Sequence, residues 1–397
     1  MGRMTCCDDG SIRKVLEAVG RGEPFYVLPY KEPKVWGIEG IGEYWYGAEA
    51  GQKSSIAVTT DGEIPMDTLV SSSPDTLLGA DVVRMFGPRM PLVKILTPAG
   101  RLSVQFHDAK NELWIVTSAS GSNPSIVLGF SESSVSKYGE KVTDEYRKAL
   151  NDYGKALNAL IDTLEKNGFK DELTRCGNAR VAAERVLSGG ASIAAALKDY
   201  DSAEEAMSWF YNIKPVKVGD VIPIPSGTMH ALGSGVEIVE PQIAGPTQSL
   251  EDGATYPVRY YFPGYERPGS QKKLDTDRAG EMRKGVTDDE KPSILRSGSG
   301  CTVERLPGGF EDKGLEVHRI TLGTGVSIEE TGIKSFHVLT ALEGKAWITA
   351  GGKRYEVPRA SAGGKMLVVP AKAGCYRIEA GTKAQIVDTF TPVKAGR

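Results

Sequence analysis

Gln105, His107 and Glu112 fall within one short run, SVQFHDAKNELWIV, and a second histidine, His230, stands far along the chain in IPIPSGTMHAL. Residues two apart on a strand leave the same face, so Gln105 and His107 can converge on one ion. Glu112 follows the short connection DAKN on a returning strand, which reads as a β hairpin facing all three side chains one way. Imidazole, carboxylate and amide oxygen suit Zn2+, with Mn2+ or Fe2+ as alternatives, better than a thiolate-seeking ion. A fourth ligand is needed, and His230 supplies it. A histidine in a strand is more often a hydrogen-bonded core or surface residue, and spacing alone leaves that reading open. The other two of the four histidines, His318 and His337, have no partner set around them and read as structural.

Strands must position these residues. From Phe25 to Phe130 the chain reads as short strands, FYVLPY, SSIAVTT, LVKILT, LSVQFH, LWIVTS and SIVLGF, interrupted by an N-capped helix in SSSPDTLLGADVVRMFG with Pro74 near its first turn. The pattern then turns helical: Tyr146, Leu150, Tyr153, Leu157, Leu160, Ile161 and Leu164 share one face before Gly168. After Pro215 the chain returns to strands. A charged, Gly-rich stretch from about Pro263 to Pro292 reads as a loop or linker, and a second set of short strands follows it. VGDVIPIPSGTMHAL and GGKMLVVPAKAGCYRI share a phrase, with Cys375 near where the first has His230, which suggests a duplicated jelly-roll barrel of which one copy kept the ligands. The expected fold is mainly β: two jelly-roll barrels with an inserted α-helical module. Residues 1–130 and 213–262 form the metal-binding barrel, 131–212 the helical insertion, 263–300 a linker and 301–397 the second barrel.

Composition narrows the partners. A net charge of −3 without a basic block gives no electrostatic case for nucleic acid. Five scattered cysteines lack metal-type spacing and suggest neither a disulfide framework nor a zinc ribbon. No apolar run approaches bilayer length and the N-terminus lacks a signal-peptide core, so the expectation is a cytoplasmic protein without membrane contact, monomer or homodimer.

The segments PLVKILTPAGRLSVQFHDAKNELWIV and FYNIKPVKVGDVIPIPSGTMHALGSGVEIVEPQ resemble those of the type I phosphomannose isomerases, and YKEPKVWGIEGIGEYWYG and SFHVLTALEGKAWITAGGKRYEV add similarity in the same order along the chain. The resemblance implies two cupin-type barrels and one Zn2+ per chain, held by Gln105, His107, Glu112 and His230. It implies an arginine at Arg259, with Arg267 as the other candidate, and a Glu-x-Gln pair, Glu240 and Gln242, bordering the site. Ser103 and Lys110 match positions lining a sugar-phosphate pocket, and Lys94 lies in the same neighbourhood. Two departures stand out: Asp108 follows His107 where the family has proline, and the long excursion before the glutamate is missing.

What this implies is a metal-dependent isomerase interconverting mannose 6-phosphate and fructose 6-phosphate through an enediol. The ion would stabilise the enediolate charge. Glu240 is the carboxylate candidate for the base, with a hydroxide on the ion as the other; Arg259 would steady developing charge, and Lys110, Lys94 and Ser103 would hold the phosphate. Alternatives are a non-catalytic sugar- or metal-binding bicupin, an isomerase of another phosphorylated aldose, and an oxygen-using cupin enzyme, which Gln105 disfavours.

Overall fold

The computed structural model describes residues 9–48, 53–244, 255–259, 274–284 and 290–393. Among them the chain forms four antiparallel sheets of nine, six, five and four strands, each an open row of strands that does not close on itself. The architecture is therefore mainly β, with a block of helices between strands.

The six-stranded sheet runs Val221–Ile224, Lys110–Ala119, Val236–Ala244, Leu92–Leu96, Ile41–Tyr46 and Tyr30–Ile38. Period-two alternation divides its side chains between two cores: Trp114, Val116 and Ile238 pack in one, and Leu113, Ile115 and Val239 in the other. Its central strands are buried on both faces, so the polar residues they carry, Lys94, Glu112, Glu240 and Gln242 among them, are buried too. The five-stranded sheet runs Tyr211–Pro215, Ser125–Phe130, His230–Leu232, Val104–His107 and Thr255–Arg259.

Here the structure corrects the expected hairpin. Val104–His107 and Lys110–Ala119 belong to different sheets, and the connection at Asp108 and Ala109 crosses from one to the other. The ligand residues approach across the gap between two sheets.

Helices occupy the stretch from Glu132 to Ser208. Ser131 caps the first, its hydroxyl accepting from the Ser134 N–H, and Asn178 caps Ala179–Arg185 in the same way. Helix Val142–Lys166 buries Tyr146, Leu150, Tyr153, Leu157, Leu160 and Leu164 against the five-stranded sheet and its neighbouring helices. The helix expected around Pro74 is three short ones, Met66–Ser72, Pro74–Leu78 and Ala80–Phe86; Ser73 stands at the cap position, Pro74 opens its helix, and no side-chain cap bond forms.

The nine-stranded sheet joins both ends of the chain, since Phe25–Leu28 pairs with Met366–Val369. Its other face packs on the four-stranded sheet of Ser327–Thr331, Cys375–Ala380, Ala346–Ala350 and Lys353–Glu356. The stretch read as a linker is more ordered than expected where it is described. A 3-10 turn, Arg278–Glu281, buries Ala279, with Met282 beside it, in the core that holds the helices, and Ser293–Gly298 is the outermost strand of the nine-stranded sheet. Charged residues around a few apolar anchors hid both. Among the described residues no helix is long and apolar enough to cross a membrane.

Candidate metal centre

His107, Glu112 and His230 meet between the five- and six-stranded sheets. Their ligand atoms lie within 4.8 Å of one another, and the residues are 2, 2 and 1% exposed. His107 Nε2 is 3.2 Å from Glu112 Oε1, and His230 Nε2 is 3.9 Å from Glu112 Oε2. His230 stands opposite Gln105 in the strand ladder. Gln105 also lies two residues before His107, so the backbone puts its side chain on the face that carries both histidines.

Local structure sets the tautomers. The His230 Nδ1–H donates to the Thr228 carbonyl at 2.8 Å, and His107 Nδ1 shares a 3.0 Å hydrogen bond with the Thr255 hydroxyl. A ring held through Nδ1 presents Nε2 as the ligating atom. Both Nε2 atoms are buried without a hydrogen-bond partner, a costly arrangement unless something else binds there. The loop before His230 turns at Gly227, whose φ of +81° suits glycine and whose N–H donates to the His107 carbonyl, tying the two histidine segments together.

The charge states fit a cation. Burial holds the His107 imidazolium down to about 3, with the Lys110 charge adding to it against the pull of Glu112. Burial likewise lowers His230 against Glu112. Both rings are neutral, as ligation requires. Burial alone would raise Glu112, but Lys110, His107 and His230 outweigh it and keep the carboxyl well below the ordinary range. Two imidazole lone pairs and one ionised carboxylate in a dry site are a donor set for a zinc-class divalent ion.

Around these three the six-stranded sheet lays out a row of charges. Lys110 Nζ is 2.5 Å from Glu112 Oε1. Glu240 pairs with Lys94 in the ladder, and Lys94 Nζ lies 3.6 Å from Glu240 Oε1 and 3.5 Å from Glu43 Oε2, over the Trp45 ring. Burial, then the charge of Glu112, pushes Glu240 up to about 7 against Lys94 and Lys110. Burial opposes ionisation of Glu43 too, but Lys94, Lys34 and the Trp45 N–H bring it down to about 2. The two carboxylates flanking Lys94 thus separate, one poised near neutrality and one ionised down to about pH 2.

Ser103 lies on the same alternation as Gln105 and His107, and its hydroxyl is buried without a hydrogen-bond partner, as is Gln242 Oε1 opposite Glu112. Arg259 reaches to the helices. It pairs with Val104, and its guanidinium packs over the Tyr153 ring at 5.0 Å and donates to Glu204 at 2.5 Å and to the Tyr200 hydroxyl, all on the helices. Arg267 lies outside the described residues. Glu43, Trp45 and Trp114 escaped sequence reasoning. The available signal was an acid and a tryptophan two apart on a strand, Glu43 with Trp45 and Glu112 with Trp114, each pair joined by an indole hydrogen bond.

The likeness to solved structures covers nearly the whole chain. A mannose 6-phosphate isomerase from Bacillus subtilis superposes with a TM-score of 0.60 at 16% identity, covering 92% of this chain and 99% of that one. The chain has the phosphomannose isomerase fold. A phosphomannose isomerase from Salmonella typhimurium gives 0.61 at 14% identity over 93% of this chain and 100% of its own. A zinc-bound holo mannose 6-phosphate isomerase gives 0.60 at 14% identity with the same coverage. No family model and no curated protein matches the chain by sequence. At this divergence the phosphomannose isomerase likeness describes the fold, and the chemistry must be argued from the site.

Proposed function

We propose that the chain is a metal-dependent aldose–ketose isomerase that interconverts mannose 6-phosphate and fructose 6-phosphate, built on two cupin-type jelly-roll barrels. One observation carries the reading: the two partnerless Nε2 atoms of His107 and His230 flank an ionised Glu112, beside a second buried carboxylate, Glu240, poised near 7. A purely structural cluster would satisfy those nitrogens and would not keep two carboxylates so differently charged.

Gln105, His107, Glu112 and His230 would hold one Zn2+. When bound, the ion supplies a positive centre that stabilises negative charge developing on the sugar's O1 and O2. Glu240 takes the proton from C2 of the open-chain aldose and returns it to C1, while the O2 hydroxyl proton passes to O1 so that the enediol closes to the ketose. Lys94 lies 3.6 Å from the Glu240 carboxylate. Lys110, Lys94 and Ser103 offer ammonium and hydroxyl donors to the phosphate. Arg259 borders the site from the helical side, where Glu204 fixes its fork of donors.

The test strips the protein with EDTA, verifies metal loss by elemental analysis, and follows fructose 6-phosphate formation before and after Zn2+ is restored. Activity that disappears and returns with the metal supports the proposal; full activity in verified metal-free protein defeats it. A panel of phosphorylated and free aldoses in the same assay separates mannose 6-phosphate from another phosphorylated aldose. Zinc and sugar-phosphate binding with no ketose formed would point to a non-catalytic binding protein.

A further inference from the structure

Trp114 is 1% exposed, and its single N–H points between two carboxylates. The indole Nε1 is 3.1 Å from Glu112 Oε2 and 3.1 Å from Glu240 Oε2. The sheet creates this position. Trp114 lies two residues after Glu112 on one strand, and Glu240 lies on the adjacent strand between the ladder pairs Val239 with Ile115 and Gln242 with Glu112. All three side chains therefore rise from one face of the sheet. The ring also stands edge-on to His230, with centroids 5.4 Å apart.

From this geometry we infer that Trp114 is a positioning residue that fixes one oxygen of each carboxylate and thereby sets the direction in which the other points. This inference builds on the metal centre and on the role given to Glu240. Of the Glu112 oxygens, Oε2 accepts from the indole with His230 Nε2 3.9 Å away, whereas Oε1 faces Lys110 Nζ at 2.5 Å and His107 Nε2 at 3.2 Å. Of the Glu240 oxygens, Oε2 is taken by the same N–H and Oε1 lies toward Lys94. A buried carboxylate pair repels itself, and one shared neutral donor lets both oxygens approach without a further charge beside those of Lys110 and Lys94. The indole is suited to this because it is a donor only, and its rigid bicycle fills the space beside His230.

Trp114→Phe removes the donor but also leaves a cavity, so the decisive variant is Trp114→β-(3-benzothienyl)alanine, which keeps the bicyclic shape and lacks the N–H. Zinc affinity is read by competition with a chromophoric chelator, without substrate, and the unfolding midpoint is followed alongside. The expected result is zinc binding weakened about 10- to 100-fold by the isostere, the usual effect of losing a hydrogen bond to a ligating carboxylate, with the midpoint unchanged. Where the native chain isomerises mannose 6-phosphate, kcat falls and KM stays. Native-like zinc affinity in the isostere overturns the inference, as does zinc loss confined to Trp114→Phe, which would assign the effect to packing. The zinc measurement decides the matter even if the isomerase reading fails, so the two failures are distinguishable.

Discussion

Replacing Glu240 with glutamine isolates the cost of burying its carboxylate. Folding moves this group from an ordinary 4.5 to about 7, because burial and the charge of Glu112 oppose ionisation more strongly than Lys94 and Lys110 favour it. At about 1.4 kcal/mol per pH unit the rise is worth about 3 kcal/mol. The sign follows from proton binding. Between 4.5 and about 7 the folded chain holds a proton that the unfolded chain has released, so this group makes stability fall as pH rises through that window and adds no slope above it. The Glu240→Gln variant keeps the shape and an oxygen to accept from Trp114, and it does not titrate. Urea unfolding of metal-free native and variant chains, followed by tryptophan fluorescence at a series of pH values, reads the difference. Metal must be absent because a bound dication would itself favour the ionised form. The variant should gain about 3 kcal/mol on the native chain between about pH 4.5 and about pH 7.5. A difference that stays flat across that range would refute the claim that Glu240 is a buried carboxyl poised near neutrality.

Four further outcomes are expected. His107→Ala and His230→Ala should each abolish stoichiometric zinc uptake measured by elemental analysis. Zinc at about 100 times its Kd should stabilise the native chain by about 3 kcal/mol and leave either variant unmoved. Glu43→Gln should cost about 3 kcal/mol at neutral pH, since folding lowers this carboxyl from 4.5 to about 2. That contribution is present above 4.5 and fades as pH falls toward 2, so native and variant unfolding midpoints should converge in acid. Arg259→Ala should cost about 2 kcal/mol or more by leaving Glu204 without its partner, read as a lowered unfolding midpoint; Arg259→Lys should recover only part of it, because Tyr153 and Tyr200 fit a planar fork.

What the sequence made legible was local. In helix Val142–Lys166 six of the seven residues that helical periodicity selects are buried, and the seventh, Ile161, is partly buried against the same core. The metal-capable residues were legible as types, and three of them meet in space. The pairing of their strands was not. SVQFHDAKNELWIV alternates on both sides of a short connection, as a hairpin would, yet Val104–His107 pairs with the strands of His230 and Thr255, while Lys110–Ala119 pairs with those of Val221 and Val236. Partners far along the chain decide that, and alternation carries no record of them. Glu43 was hidden for a related reason: an acid in an alternating strand ordinarily faces water, and only Lys94 and Lys34 arriving on neighbouring strands make it a buried charge.

The strand ladders also explain why, among the described residues, one module gathers ligands and the other does not. Glu112 pairs with Ile224, just before Pro225, on one side and with Gln242 on the other; His337 pairs with Val369, just before Pro370, and with Phe390. Two residues upstream of these last partners stand Glu240, paired with Lys94, and Asp388, paired with His318. His337, Asp388 and His318 thus hold in the nine-stranded sheet the ladder positions of Glu112, Glu240 and Lys94. The shared phrase that set Cys375 beside His230 missed this, and Cys375 is exposed. In the C-terminal sheet the polar groups satisfy one another: Asp388 lies 2.8 Å from His337 Nδ1 and accepts from the Tyr376 hydroxyl, and the Phe390 ring stacks on His337 at 4.8 Å. Where Gln242 leaves a buried oxygen without a partner, Phe390 presents carbon. A change from amide to phenyl at one ladder position removes an oxygen from the site and covers an imidazole face. The same backbone ladder therefore supports a cluster that could hold an ion in one module and a self-contained polar core in the other.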